Sequence, residues 1–181
     1  YLIATREWLA GADLYTYISE VNPPLNFYFT LPAIWLADLL GISDTNGEYL
    51  AVTLLLFVIL VWCRALAFQA LDLSPKRNAL LLCGIAVALV LPALRDFGQR
   101  EHVMVMLIMP WLIGELITTR TSKRGQILRA AVAALGICLK PHFVVFPLAL
   151  TLLSLGRQRL LRPVFSIANM TMLTVGLAYV S

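Results

Sequence analysis

The residues able to do chemistry stand out because so few residues of this chain are polar. Lys140-Pro141-His142 interrupts one long apolar run, and Arg100-Glu101-His102 opens another. A lysine between apolar arms is costly at bilayer depth unless it is paired or hydrated. Lys140 is therefore read either as a compact point charge for an anion or as a snorkelling side chain at a helix end. Glu101 has the chemistry of a general base, of a hydroxyl-binding group or of a partner for Lys140. The plain alternative is a helix-start carboxylate favoured by the helix dipole. His102 and His142 can donate hydrogen bonds to anionic or hydroxyl ligands, or simply sit at an interface. Asp13, Tyr15, Glu20 and Asn22 form a polar stretch ahead of Pro23-Pro24. Asp13 and Glu20 can line a cleft or remain solvated, and Asn22 has the character of a helix cap. Two histidines and Glu101 have no metal-ligand spacing, so no cofactor is expected; a divalent metal at that trio is the alternative.

The elements that must position these groups are apolar helices. The chain has 181 residues, of which 60% are hydrophobic and 13% charged. Soluble domains carry roughly 25% charged residues, so a water-facing globule is excluded. Cys63, Cys83 and Cys138 all lie in apolar runs and match no disulfide or metal framework. The net charge is +4, with basic residues clumped at Arg120–Arg129 and Arg157–Arg162. No nucleic-acid motif accompanies them, and their place beside apolar runs points to membrane orientation. We expect an all-α, polytopic transmembrane bundle of about six membrane-embedded helices. Residues 1–48 should form an extracytoplasmic loop with two juxtamembrane helices, and residues 49–181 the bundle. The expected spans are 49–71, 78–94, 102–118, 127–139, 143–155 and 163–181. The break at Lys140-Pro141-His142 makes 127–155 a helical hairpin, because proline ends or kinks a helix. Each of its arms is only about 20 Å long at 1.5 Å per residue. With the basic clusters inside, the Lys140 tip and Arg100-Glu101-His102 share the outer face. Residues 25–40, with Tyr28, Trp35 and Asp38, should lie along the outer interface. Tyr1 begins in mid-pattern and Ser181 ends within an apolar stretch, so the chain reads as a piece of a longer protein.

The order of features resembles the GT-C membrane glycosyltransferases, in the branch of protein O-mannosyltransferases and lipid A aminoarabinose transferases. The resemblance rests on Gly11, Leu14-Tyr15, Glu20, Asn22-Pro23-Pro24-Leu25 and Tyr28, which look like that family's first extracytoplasmic loop. It continues in Arg100-Glu101, like the acidic residue opening a later helix, and in Gly136-Ile137-Cys138-Leu139-Lys140-Pro141, like the lysine between two short helices. The family lysine is usually followed by glycine, where Pro141 and His142 stand here. The family's catalytic aspartate would lie just upstream of Tyr1.

The resemblance implies transfer of a sugar from a polyprenyl-phosphate donor to an acceptor hydroxyl on a lipid, polysaccharide or protein. It implies Lys140, Arg100 and His142 at the donor phosphate, where negative charge develops. It implies Glu101, Asp13 and Glu20 as catalytic or acceptor-facing carboxylates, with His102, Tyr15 and Asn22 as further substrate contacts. The expected location is a bacterial inner membrane, with the prenyl chain in the surrounding lipid. The alternative is a transporter or flippase for lipid-linked or small polar substrates, which the broken hairpin also suits.

Overall fold

A computed structural model describes residues 1–13, 16, 24–71, 74–117, 122–158 and 163–180. The described chain is all-helical, with no strand. It comprises α1 (Leu2–Leu9), α2 (Leu25–Leu40), α3 (Asp44–Ala70), α4 (Pro75–Val90), α5 (Arg100–Leu116) and α6 (Lys123–Leu139). A 3-10 turn (Pro141–Val144), α7 (Val145–Gln158) and α8 (Ile167–Val180) complete it.

Local chemistry sets the helix ends, and it moves several expected boundaries. Ser43 accepts the Asn46 N–H at 3.3 Å, so α3 starts at Asp44 and takes in residues expected as an outer loop. Ser122 caps α6 through the Gly125 N–H at 3.2 Å, which starts that helix before residue 127. Ser166 caps α8 through the Asn169 N–H at 3.2 Å. Pro75 occupies the first turn of α4, where its missing N–H costs nothing. That helix ends at Val90, just ahead of Leu91-Pro92; Leu91 keeps helical dihedrals and bonds back to Val87, and Pro92 lacks the N–H that would carry the ladder further. Gly41, at φ +65°, takes the left-handed conformation that closes α2 at little steric cost.

Helix α3 is long and apolar enough to cross a membrane, over Asp44–Phe68. Only 28% of its apolar window is buried, where the core helix of a soluble domain would be mostly covered. Phe57, Val58, Val61 and Phe68 face outward from it. The remaining described helices are shorter, at 17 residues or fewer.

Helix α5 is the centre of the packing. Its Val103, Met106, Leu107 and Ile113 pack with Val52, Ile59, Cys63 and Leu66 of α3, Leu89 of α4 and Leu139 of α6. Its Met104, Ile108 and Trp111 pack with Ala130, Ala133 and Ile137 of α6 and Ala168 of α8. The small residues of α6 bring the two backbones close. A Cβ on Gly136 would lie 3.1 Å from the Met104 carbonyl oxygen, an approach that small residues allow. Helix α2 lies against the start of α3, where a methyl on Gly47 would collide with the Ala33 carbonyl oxygen.

Candidate functional site

The chain breaks where Lys140 meets Pro141. The residue before a proline is biased away from the α region, and Lys140 sits at φ −143°, ψ 88° and ends α6. Its N–H still reaches the Ile137 carbonyl and its carbonyl accepts the Phe143 N–H, both at 3.0 Å. The side chain is thus presented at a helix terminus by a short, hydrogen-bonded turn.

Packing of α6 on α5 brings this terminus beside the first turn of α5. There the Lys140 ammonium forms an ion pair with Glu101, and both side chains remain partly accessible. The hydrogen bond from Lys140 holds the Glu101 carboxyl below its usual range, against the opposing effect of partial burial. Glu101 is therefore an ionised carboxylate and a proton acceptor at neutral pH.

Arg100 flanks the pair. Its guanidinium stands 5.5 Å from the centre of the Tyr1 ring. Both residues border a small cavity of about 50 Å³ that Asn26, Thr30, Glu48 and Gly98 also line. Asn26 is 3% exposed, and neither its side-chain oxygen nor its nitrogen has a partner among the described residues. A buried amide in that state is costly and suits a ligand or an ordered water.

Tyr1 is carried on α1, which an arginine clamp fixes in place. Arg6 binds Asp38 through Nη1 and Nη2 at 3.0 and 2.6 Å. It binds Asp44 through Nε and Nη2 at 3.0 and 2.6 Å. The two carboxylates strengthen the positive charge of Arg6, and the clamp ties α1 to the end of α2 and the start of α3.

The structure brings three of the expected site residues together: Lys140, Glu101 and Arg100. His102 goes elsewhere. It is 4% exposed, accepts the Gly98 N–H on Nδ1 at 3.2 Å and packs against Phe97 with ring centres 4.9 Å apart. It braces the turn before α5. His142 is exposed on the 3-10 turn, with its ring against Phe143 at 4.6 Å. Asp13 is exposed beyond Gly11. Tyr15, Glu20 and Asn22 lie outside the described residues. Among the described residues no three His, Cys, Asp or Glu side chains converge as a metal-ligand set.

Asn26, Glu48 and Tyr1 were not legible as site residues in the sequence. The available signal was the pair Asn26 and Thr30, polar residues one helical turn apart in apolar α2. Comparison of the chain with protein-family models, curated proteins and solved structures returns no match.

Proposed function

We propose that the protein is a polytopic membrane glycosyltransferase of the GT-C type, moving a sugar from a polyprenyl phosphate to an acceptor hydroxyl at the outer membrane face. The observation that carries this reading is the accessible Lys140–Glu101 pair beside Arg100, at the meeting of two helix ends. A donor phosphate entering the pair draws Lys140 and Arg100 to itself and frees Glu101. The acceptor oxygen then attacks the anomeric carbon and its proton passes to Glu101. The bond from that carbon to the phosphate oxygen breaks, and its electron pair leaves on the phosphate, where the cations neutralise it. Cavity-lining Asn26 is suited to hold a sugar or acceptor hydroxyl.

The membrane reading extends α3 to a bundle that also embeds α4 to α8. Its support is the outward apolar surface of the shorter helices, including Leu80 and Val87 of α4, Leu152 and Leu153 of α7, and Leu173 and Leu177 of α8. Tyr28, Trp35 and Leu39 are exposed on α2 and suit the outer interface. A bacterial inner membrane fits this arrangement, with basic loops on the cytoplasmic side.

The test is transfer from a polyprenyl-phosphate sugar by the full-length protein in proteoliposomes. Lys140→Ala and Glu101→Ala should each abolish most transfer while the protein stays folded. Undiminished transfer in both variants sinks the assignment. The break between α6 and α7 also suits a transporter. Substrate uptake into sealed vesicles with no glycosylated product would favour that second reading.

A further inference from the structure

The small cavity beside Arg100 is narrow in both size and chemistry. Its volume is about 50 Å³. At roughly 10–15 Å³ for each water-sized group, it has room for about four such groups. Two adjacent hydroxyls and the two carbons that bear them fill it. A whole sugar ring does not fit, but one edge of a ring does.

Its polar walls come from three helices: Asn26 and Thr30 of α2, Glu48 of α3 and Arg100 of α5. Asn26 is buried, and both polar atoms of its side-chain amide lack a partner among the described residues. It therefore has a donor and an acceptor to offer. Thr30 gives its hydroxyl proton to the Asn26 backbone carbonyl at 2.9 Å, so its oxygen keeps only the role of acceptor. Glu48 adds acceptors and Arg100 adds donors.

A charged ligand meets a wrong partner on these walls. An anion faces the carboxyl oxygens of Glu48. A cation faces the Arg100 guanidinium and leaves the Asn26 nitrogen, a donor, without an acceptor. Neutral hydroxyls suit all four groups, because each hydroxyl both donates and accepts. Apolar Phe29, Val103 and Leu139 complete the lining, and in such surroundings an unpaired polar group is penalised.

We propose that this cavity recognises a vicinal diol of the donor sugar and selects a neutral sugar over an amino sugar. Leu139 precedes Lys140 and Arg100 precedes Glu101, so the cavity lies beside the charged pair. With the anomeric carbon held at that pair, the edge that enters is the one farthest from it, the hydroxyls on C3 and C4. Assigning the diol to the donor rests on the glycosyl-transfer reading. The preference for neutral hydroxyls rests on the cavity walls alone.

Equilibrium binding to the full-length protein in detergent, titrated by native mass spectrometry, tests this. The probes are undecaprenyl phosphate alone and the same lipid carrying glucose, mannose or galactose. At least one sugar should tighten binding about tenfold over the bare phosphate, the effect of one or two hydrogen bonds to buried groups. The 4-deoxy and 4-amino-4-deoxy forms of the tightest binder should lose that gain. Asn26→Leu should remove the gain and leave binding of undecaprenyl phosphate unchanged. Its melting temperature should hold or rise, since an unpaired buried amide gives way to an apolar side chain of similar size. Glu48→Ala should remove the gain as a second, independent variant. No gain for any of the three sugars, an equal gain for the 4-amino form, or an undiminished gain in both variants overturns the proposal. The methyl glycosides of the three sugars separate the two readings. Their raising the melting temperature of the parent but not of Asn26→Leu, with no binding of undecaprenyl phosphate, overturns the donor assignment and glycosyl transfer together and supports the diol pocket.

Discussion

Helices α5 and α6 carry an acid and a base near each of their ends, and the two ends treat those charges differently. At one end Glu101 of α5 meets Lys140 of α6, with both side chains partly accessible. At the other, Arg129 of α6 is 3% exposed, while Glu115 of α5 is exposed at the edge of a cavity. The Arg129 guanidinium packs on the α5 backbone at Gly114, where a Cβ would lie 2.7 Å from Cζ. Accessibility is what separates the ends. A partly solvated pair contributes little to stability and exchanges partners readily, which suits a site where a phosphate displaces a carboxylate. A buried arginine is costly to strip of its partners, so it acts as scaffold. The same helix pair thus holds a replaceable charge pair at the break in the chain and a buried, packed arginine in the continuous part.

The sharpest way to break this comparison is through activity. Replacing Lys140 with Ala, or Glu101 with Gln, should reduce transfer on the order of 10²–10³-fold, the scale of losing one group that meets developing charge. The melting temperature of the same variants should move little. A large loss of stability would instead make the Lys140–Glu101 pair a scaffold like Arg129.

Arg129→Leu should give the reverse pattern. Deleting one partner of a fully buried pair costs about 3–5 kcal/mol. Glu115 borders an open cavity and can be hydrated, so about 2 kcal/mol of destabilisation is expected. Denaturant unfolding in detergent reads this directly, and transfer per folded molecule should be near that of the parent.

A smaller effect is expected from Gly114→Ala, whose methyl would press on the Arg129 guanidinium. The expected cost is about 1–2 kcal/mol, as for modest overpacking of a filled site, read by the same unfolding curves. No change would show that Arg129 moves freely and that the contrast between the ends is overstated.

The smallest effect is that of pH on the Lys140–Glu101 pair. Because Glu101 titrates below its usual range, its contribution is fully present above the ordinary carboxylate pKa. It is lost as pH falls through the depressed folded value. The stability difference between the parent protein and Glu101→Gln should therefore be constant through neutral pH and vanish in acid. Unfolding curves at several pH values check this.

How much was legible depended on the range of the interaction. The helical class, the existence of the main apolar segments and the break at Lys140-Pro141 all follow from neighbours in sequence. Proline acts on the residue beside it, and apolar runs declare themselves. The early starts of α3 and α6 were equally local, since Ser43 and Ser122 cap them. Hydropathy alone passed over those serines because it weighs bulk apolarity and takes no account of single hydrogen bonds. The site was legible only in part. Lys140, Glu101 and Arg100 were visible as charges at the edges of apolar runs. His102, beside Glu101 in sequence, turns inward to Gly98 and Phe97, because successive positions on a helix point about 100° apart.

The sequence by itself determined that this chain is a set of apolar helices with a charged break at Lys140. Those properties come from side-chain hydrophobicity and the local sterics of the backbone. Only the tertiary structure decided that Lys140 meets Glu101, that Arg6 clamps Asp38 and Asp44, and that Asn26 lies buried beside Arg100's cavity. Those contacts join residues far apart in the chain. Which of them form depends on which helix faces pack together, and here the small residues of α6 and the glycine at position 47 set how closely the helices approach.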